Sequence, residues 1–482
     1  MTDQQRFDTI AALGASPAIT PNLDRLVARG FAFTNAYSTC PVCVPARYGI
    51  MTGREPSLTG WFSNWQQPPD VRANCGSYLA EEMKARGYRT FGLGKFHTEP
   101  RHEPLGFEVH EYSEELWTNE AEYLGDDYVR WLRGKTTAFN HLEQVHGERT
   151  DMYYGAQCRP QPAELTGEAW LTERATEEIA RQDGRPYFGF LSFVQPHPPL
   201  APPIPYNRLF NPDDMPSPVP GDPEIDAADD YLGWMNHAVW AEDISPGQAR
   251  QLRARYSGAI TFIDACLGRI LDAVESRPDA ANTVICFFAD HGDHMGDHRA
   301  WQKESFFEAS CRVPMLVSWP SRWPGHRRFD GLASLTDLFG LATGVAGEAE
   351  QRDGQDLVGV LDGCMAPRES LCGMFGSPGT NQFKAMVRCG DWKYLWLANG
   401  GRELLFNVRQ NPGESVNRLT DDPDVATRLR SVLIERLAAR PLTRPALAGD
   451  ALRAFPFAPF PRVRIKQFGR GVTDFGQGPI RA

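Results

Sequence analysis

Apolar positions along the chain alternate between a helical period and short continuous runs. Residues 77–86 place Leu79 and Met83 on one helical face, and Gly87 supplies the C-terminal stop. Tyr88 to Leu93 follows as a strand. After Pro186, the run Tyr187 to Val194 is nearly all apolar, as expected of a strand covered on both faces. Ser245-Pro246 has the form of an N-cap and first helical residue. It opens a long helix whose inner face takes Ala259, Phe262, Ile263, Cys266, Leu267 and Ile270. Thr283 to Ala289 and Met315 to Trp319 are two more apolar strands. Strands alternating with helices predict an α/β architecture.

The pattern changes near residue 380. Phe383 to Arg388 and Trp392 to Leu397 flank Gly390-Asp391 as a hairpin, Glu403 to Phe406 adds a strand, and Pro423 to Ala439 a helix. The chain therefore divides into a large α/β domain over 1–378, a small α+β domain with an antiparallel sheet over 379–445, and a tail over 446–482. The tail opens with Phe455-Pro456-Phe457-Ala458-Pro459-Phe460-Pro461. Its aromatics need cover, either from the protein's own surface or from a neighbouring subunit, which leaves a homo-oligomer open.

Charge narrows the function classes. Fifty Lys and Arg stand against 61 Asp and Glu, a formal charge of −11 with no basic stripe. Such a surface repels phosphate backbones, so no nucleic-acid partner is expected. No apolar run approaches the roughly 20 residues of a membrane helix. The first residues, Met1 to Arg6, show no export signal, and the expectation is a cytoplasmic protein without a membrane partner. Ten cysteines are too few for a disulfide scaffold. Cys40 and Cys43 have the spacing of half a zinc site, but no second pair follows them.

Polar clusters fall where predicted strands end, which is where open α/β sheets bind ligands. They are Asp3-Gln4, Lys95-Phe96-His97, Gln195-Pro196-His197 and Asp290-His291-Gly292-Asp293-His294. A carboxylate and an imidazole leaving a buried strand together can hold a divalent cation. Lys95, His97, His197, Arg47 and Lys303 supply cations and proton-transfer groups suited to an anionic ester.

Cys43-Val44-Pro45-Ala46-Arg47 matches the Cys-x-Pro-x-Arg signature of type I sulfatases. Thr20 to Leu26, Phe33 to Tyr37, Thr52-Gly53-Arg54, Gly94-Lys95-Phe96-His97, Pro196-His197, Asp290-His291-Gly292 and Gly296-Asp297-His298 follow the family's order. Trp392-Lys393-Tyr394, Leu405-Phe406-Asn407 and Asn411 to Glu414 resemble its small C-terminal domain. The chain thus resembles the formylglycine-dependent sulfatases of the alkaline-phosphatase-like superfamily over about residues 1–440. The resemblance implies a mixed central sheet flanked by helices and hydrolysis of a small sulfate monoester. A phosphonate monoester or phosphodiester hydrolase using the same site is the alternative.

It further implies that a formylglycine-generating enzyme oxidises Cys43 and that the hydrated aldehyde attacks sulfur. Asp3, Gln4, Cys43, Asp290 and His291 would hold one divalent metal, Ca²⁺ foremost, with Mn²⁺ or Mg²⁺ as competitors. Arg47 would stabilise the hydrate, and His97 would hydrogen-bond it. Lys95, His197 and Lys303 would bind the ester, with His197 or Lys303 protonating the leaving alcohol. Many sulfatases have Asp-Asp and Asp-Asn where this chain has Asp3-Gln4 and Asp290-His291. That donor set resembles phosphonate monoester hydrolases and some bacterial sulfatases. In the family an apolar central strand runs into the first metal-binding Asp, and here only Met1 and Thr2 precede it. A version extended upstream is expected to be more stable.

Overall fold

A computed structural model describes all residues except 15, 65, 67, 68, 116, 118, 141–152 and 463–482. Eleven of its strands build the two principal sheets, numbered here along the chain. They are β1 (Phe31–Tyr37), β2 (Arg89–Gly94), β3 (Val109–Tyr112), β4 (Tyr187–Ser192), β5 (Ile285–Phe288), β6 (Met315–Ser318), β7 (Arg327–Ser334), β8 (Ser370–Phe375), β9 (Lys384–Cys389), β10 (Trp392–Leu397) and β11 (Arg402–Asn407).

The large sheet comes in two parts. Strands β3-β2-β4 are parallel, and β5-β6-β1-β7 form a mixed set in which β6 is antiparallel to both neighbours. Met1 to Asp3 joins them. The Met1 nitrogen donates to Leu191 O at 2.6 Å, and Phe193 N donates to Met1 O at 3.0 Å. Thr2 N donates to Phe288 O at 3.0 Å, and Asp290 N to Thr2 O at 3.3 Å. Three residues therefore do a central strand's pairing at one end of the sheet. Beyond them, between β4 and β5, lies a cavity of about 320 Å³. It is walled by Leu79 and Met83 from one side of the sheet and by Ile270, Leu271 and Val274 from the other.

This slot corrects the reading of β4 as a fully covered strand over 187–194. The strand ends at Ser192, Tyr187 and Phe188 are half-buried, and Gly189 is exposed, because their edge faces the cavity. The long helix Pro246–Glu275 behaves as its pattern predicts. Ser245 caps it through Gln248 N at 3.3 Å, and every inner-face residue named above is buried.

Strands β11-β10-β9-β8 form the antiparallel sheet, and the helix Pro423–Ala438 packs Ala426, Leu429, Leu433 and Leu437 beneath it at three- and four-residue spacing. The division expected at 379 falls between two paired strands. Pairing of β8 with β9 brings 370–375 into the small sheet, and composition carries no trace of a pairing partner. Lys393 joins the two parts, reaching Glu308 at 2.9 Å and Glu414 at 2.7 Å in full burial. The described part of the tail lies on the protein's own surface. Asn399 exchanges hydrogen bonds with Ala458, and Phe460 packs on Tyr231 while its N–H reaches Asp230 at 2.6 Å. No helix among the described residues is long and apolar enough to cross a membrane.

Candidate metal and ester site

Cys43 begins the helix Cys43–Thr52, all ten residues of which are buried. Pro45 fits there because it lies in the first turn, where the missing N–H leaves no intrahelical bond unmade. The four-residue spacing puts Arg47 one turn behind Cys43 on the same face. Asp3 and Gln4 arrive from the short central strand, and Asp290 and His291 from the end of β5. Lys95 follows β2 directly. Gly94 makes that turn at φ +102°, where a Cβ would lie 2.1 Å from Ser192 O.

One donor atom from each of Asp3, Cys43, Asp290 and His291 lies within 4.8 Å of the others, all four side chains being buried. His291 Nε2 stands 3.7 Å from Asp3 Oδ1, 3.6 Å from Asp290 Oδ1 and 3.4 Å from Cys43 Sγ. Its Nδ1 lies 3.0 Å from Gly292 O. A proton on Nδ1 satisfies that carbonyl and leaves the Nε2 lone pair facing the carboxylates, as a metal ligand requires. Burial and the neighbouring Asp3 raise the Asp290 carboxyl above its ordinary value. Two crowded carboxylates, an imidazole lone pair and residue 43 are a donor set that fits one divalent cation.

Gln4 stands beside this cluster, its Oε1 sharing Lys303 Nζ with Cys43 Sγ. Its Nε2 donates to Asp293 Oδ2 at 2.5 Å, which turns Oε1 toward Lys303 Nζ at 2.8 Å. Tyr154 OH donates to the same Asp293 oxygen at 2.7 Å. Asp293 thus fixes which end of the Gln4 amide enters the site.

Cations surround this cluster. Arg47 donates to Asp290 at 3.0 Å, Asp3 at 2.8 Å, Lys95 O at 2.5 Å and Ser192 Oγ at 3.1 Å. Its guanidinium, expected beside the hydrate, holds the two carboxylates in register. Lys95 Nζ lies 2.6 Å from Asp3, and Lys303 Nζ lies 3.0 Å from Cys43 Sγ. Burial opposes ionisation of the Cys43 thiol, but Lys303, Lys95 and His291 together pull it well below its ordinary value. His197 is fully buried, with Nδ1 2.7 Å from Pro198 O and Nε2 3.3 Å from Tyr153 OH, and burial pulls it down to about 4. His97 stands at the rim at φ +49°, with Nδ1 3.8 Å from Glu115.

All the residues expected from the sequence therefore meet in one place. Sequence reasoning missed Glu115, which touches Lys95 at 2.8 Å and His197 at 3.2 Å. The strand-end rule would have found Glu115, three residues past β3. Among the aromatics of the 100–180 segment, Tyr153 is buried with its OH 3.3 Å from His197 Nε2, while Trp117 and Tyr123 pack on each other.

A protein-family model described as Sulfatase matches residues 1–348. An arylsulfatase of Clostridium perfringens is 28% identical over 91% of this chain and 94% of its own length. A choline-sulfatase of Rhizobium meliloti is 27% identical over 84% of this chain and 78% of its own. The crystal structure of a phosphonate monoester hydrolase of Agrobacterium radiobacter superimposes with a TM-score of 0.75 at 24% identity, covering 91% of this chain and 94% of that one.

Proposed function

Because this chain belongs to the sulfatase family, we propose that it hydrolyses a small sulfate monoester at this site. In this reading a formylglycine-generating enzyme converts Cys43, and Asp3, Gln4, Asp290, His291 and residue 43 hold one divalent cation. The observation that carries the reading is the buried convergence of those donors within a ring of Arg47, Lys95 and Lys303. When present, the formylglycine hydrate supplies the nucleophile and the cation draws negative charge from the ester.

The chain's own residues supply the rest. Lys303 contacts residue 43 and Gln4, which puts its ammonium beside the nucleophile, where it would bind an ester oxygen. Lys95, balanced between Asp3 and Glu115, adds fixed positive charge that needs no reorganisation as charge develops. Arg47 keeps both carboxylates aimed at the cation. Either Lys303 or His197 protonates the leaving alcohol; Lys303 already carries its proton, whereas His197, with Nδ1–H donated to Pro198 O, presents Nε2 and must first take one up. Ca²⁺ is the favoured ion, and the Gln4 and His291 donors bring Mn²⁺ or Mg²⁺ into competition.

Gln4, His291 and the likeness of fold to a phosphonate monoester hydrolase favour a second reading, with a phosphonate monoester or phosphodiester as substrate. The test compares kcat/KM for an aryl sulfate and an aryl phosphonate monoester on one preparation. Peptide mass at Cys43 would establish conversion, and elemental analysis would identify the metal. A sulfate preference supports the main reading, and a clear phosphonate preference overturns it. An unmodified thiol in protein purified from its native host would sink both.

A further inference from the structure

Glu114 and Glu115 are consecutive residues just past the end of β3, and their contacts diverge. The Glu114 carboxylate accepts the backbone N–H groups of Phe96 at 2.8 Å and His97 at 3.0 Å, which fastens the loop after β2. Its own N–H is held by Asp126 at 2.9 Å. Glu115 turns the other way, into the site. It is buried, and its oxygens lie 2.8 Å from Lys95 Nζ, 3.2 Å from His197 Nδ1 and 3.8 Å from His97 Nδ1. The loop's anchorage therefore belongs to Glu114, and Glu115 is left to act by its charge.

We propose that Glu115 sets the charge class of ester that the site accepts, favouring singly charged esters over doubly charged phosphate monoesters. This rests on the ester-hydrolase reading above. Arg47, Lys95, Lys303 and a divalent cation, set against Asp3 and Asp290, leave three positive charges around the ester. Glu115 removes one of them. Burial opposes its ionisation, but His197, Lys95 and His97 hold its carboxyl down at about 2, so the negative charge persists at neutral pH. The singly charged class comprises sulfate monoesters, phosphonate monoesters and phosphodiesters. For a separation of about 6 Å and an effective dielectric of about 20, Coulomb's law penalises the second ligand charge by up to about a hundredfold.

The experiment uses metal-loaded protein with Cys43 conversion established, at pH 8, where 4-nitrophenyl phosphate is doubly charged. Its kcat/KM is compared with that of 4-nitrophenyl sulfate and 4-nitrophenyl phenylphosphonate in the wild type, Glu115→Gln and Glu115→Asp. The Gln variant should raise the phosphate-to-sulfate ratio tenfold to a hundredfold, and the Asp variant should keep it within about threefold of wild type. A lost structural support would lower all three substrates together and leave the ratio unmoved, which would overturn the proposal. An equal shift in the Asp variant would also overturn it. Should Glu115→Gln fail to fold, the wild-type ratio decides, and preference for the phosphate monoester refutes the idea. Should the wild type turn over none of the three, the ester-hydrolase reading fails. Calorimetric binding of phenyl phosphate against phenyl sulfate to wild type and variants then reads the same ratio for Glu115 alone.

Discussion

Asp293→Asn should disable the metal site from outside it. The Asp293 Oδ1 atom accepts Met295 N at 2.7 Å, while Oδ2 accepts both Gln4 Nε2 at 2.5 Å and Tyr154 OH at 2.7 Å. In the variant the Met295 contact keeps the carbonyl at Oδ1, so the new NH₂ faces the Gln4 NH₂. Two buried donors at that distance cannot both stay. The Gln4 amide then flips, offering its oxygen to the introduced NH₂ and its own NH₂ to Lys303 and to the cation proposed there. Loss of an outer partner that orients a ligand typically costs 10- to 100-fold in metal affinity, or about 1.4–2.8 kcal/mol at 1.4 kcal/mol per decade. Calorimetric titration of metal-stripped protein with Ca²⁺ and Mn²⁺ measures it directly. Combining Gln4→Glu with Asp293→Asn restores an acceptor opposite the new NH₂ and an oxygen for the cation. That double variant should therefore recover affinity, whereas Gln4→Glu alone sets two carboxylates together and should weaken it. Asp293→Asn affinity within about threefold of wild type would refute the argument. So would a double variant no tighter than Asp293→Asn.

Other consequences are more local. Lys393→Met strands Glu308 and Glu414 together in a buried site, and removing one partner of such a cluster costs about 3–5 kcal/mol. Urea unfolding should show that loss, and a change under about 1 kcal/mol would count against the bridge. Asp297 sits 2.8 Å from Arg6 and 2.6 Å from Arg253; burial opposes its charge, yet the two guanidinium groups hold it at about 2. Its folded pKa lies below its unfolded one, so its contribution is present above about pH 4 and fades as pH falls toward 2, by about 2 kcal/mol. Asp297→Asn should flatten the fall in urea midpoint between pH 5 and pH 3, and an unaltered slope would contradict this. Adding five apolar, β-branched residues ahead of Met1 should fill the slot between β4 and β5 and raise Tm; equal melting temperatures would show that the slot takes no strand.

Local chemistry made much of the protein legible in its sequence. The helix over 246–275 announces itself by its cap and by side chains that repeat at the helical period. The β9–β10 hairpin does so by its turn, and the Cys43–Arg47 pair by a spacing of one helical turn. Asp290 and His291 could be placed at a strand end because an apolar run stops there. These features depend on neighbours within a few residues, and the chain writes those neighbours side by side.

Tertiary structure decided what depends on distant partners. Asp3 and Asp290 are 287 positions apart, and only sheet order makes them adjacent, through a strand too short to show as a pattern. The apolar run after Pro186 looks like a covered strand, yet most of it borders a cavity, because cover belongs to the neighbour and not to the run itself. Glu114 and Glu115 look alike in sequence. One holds a backbone and the other faces Lys95 and two histidines, since the loop after β3 turns between them and only the fold says what waits on each side. Residue types and local spacing thus determined which chemistry this protein can perform. The long-range pairing of β2, β4, β5 and the first three residues decided which charges meet, because electrostatic work depends on separations that sequence distance does not encode.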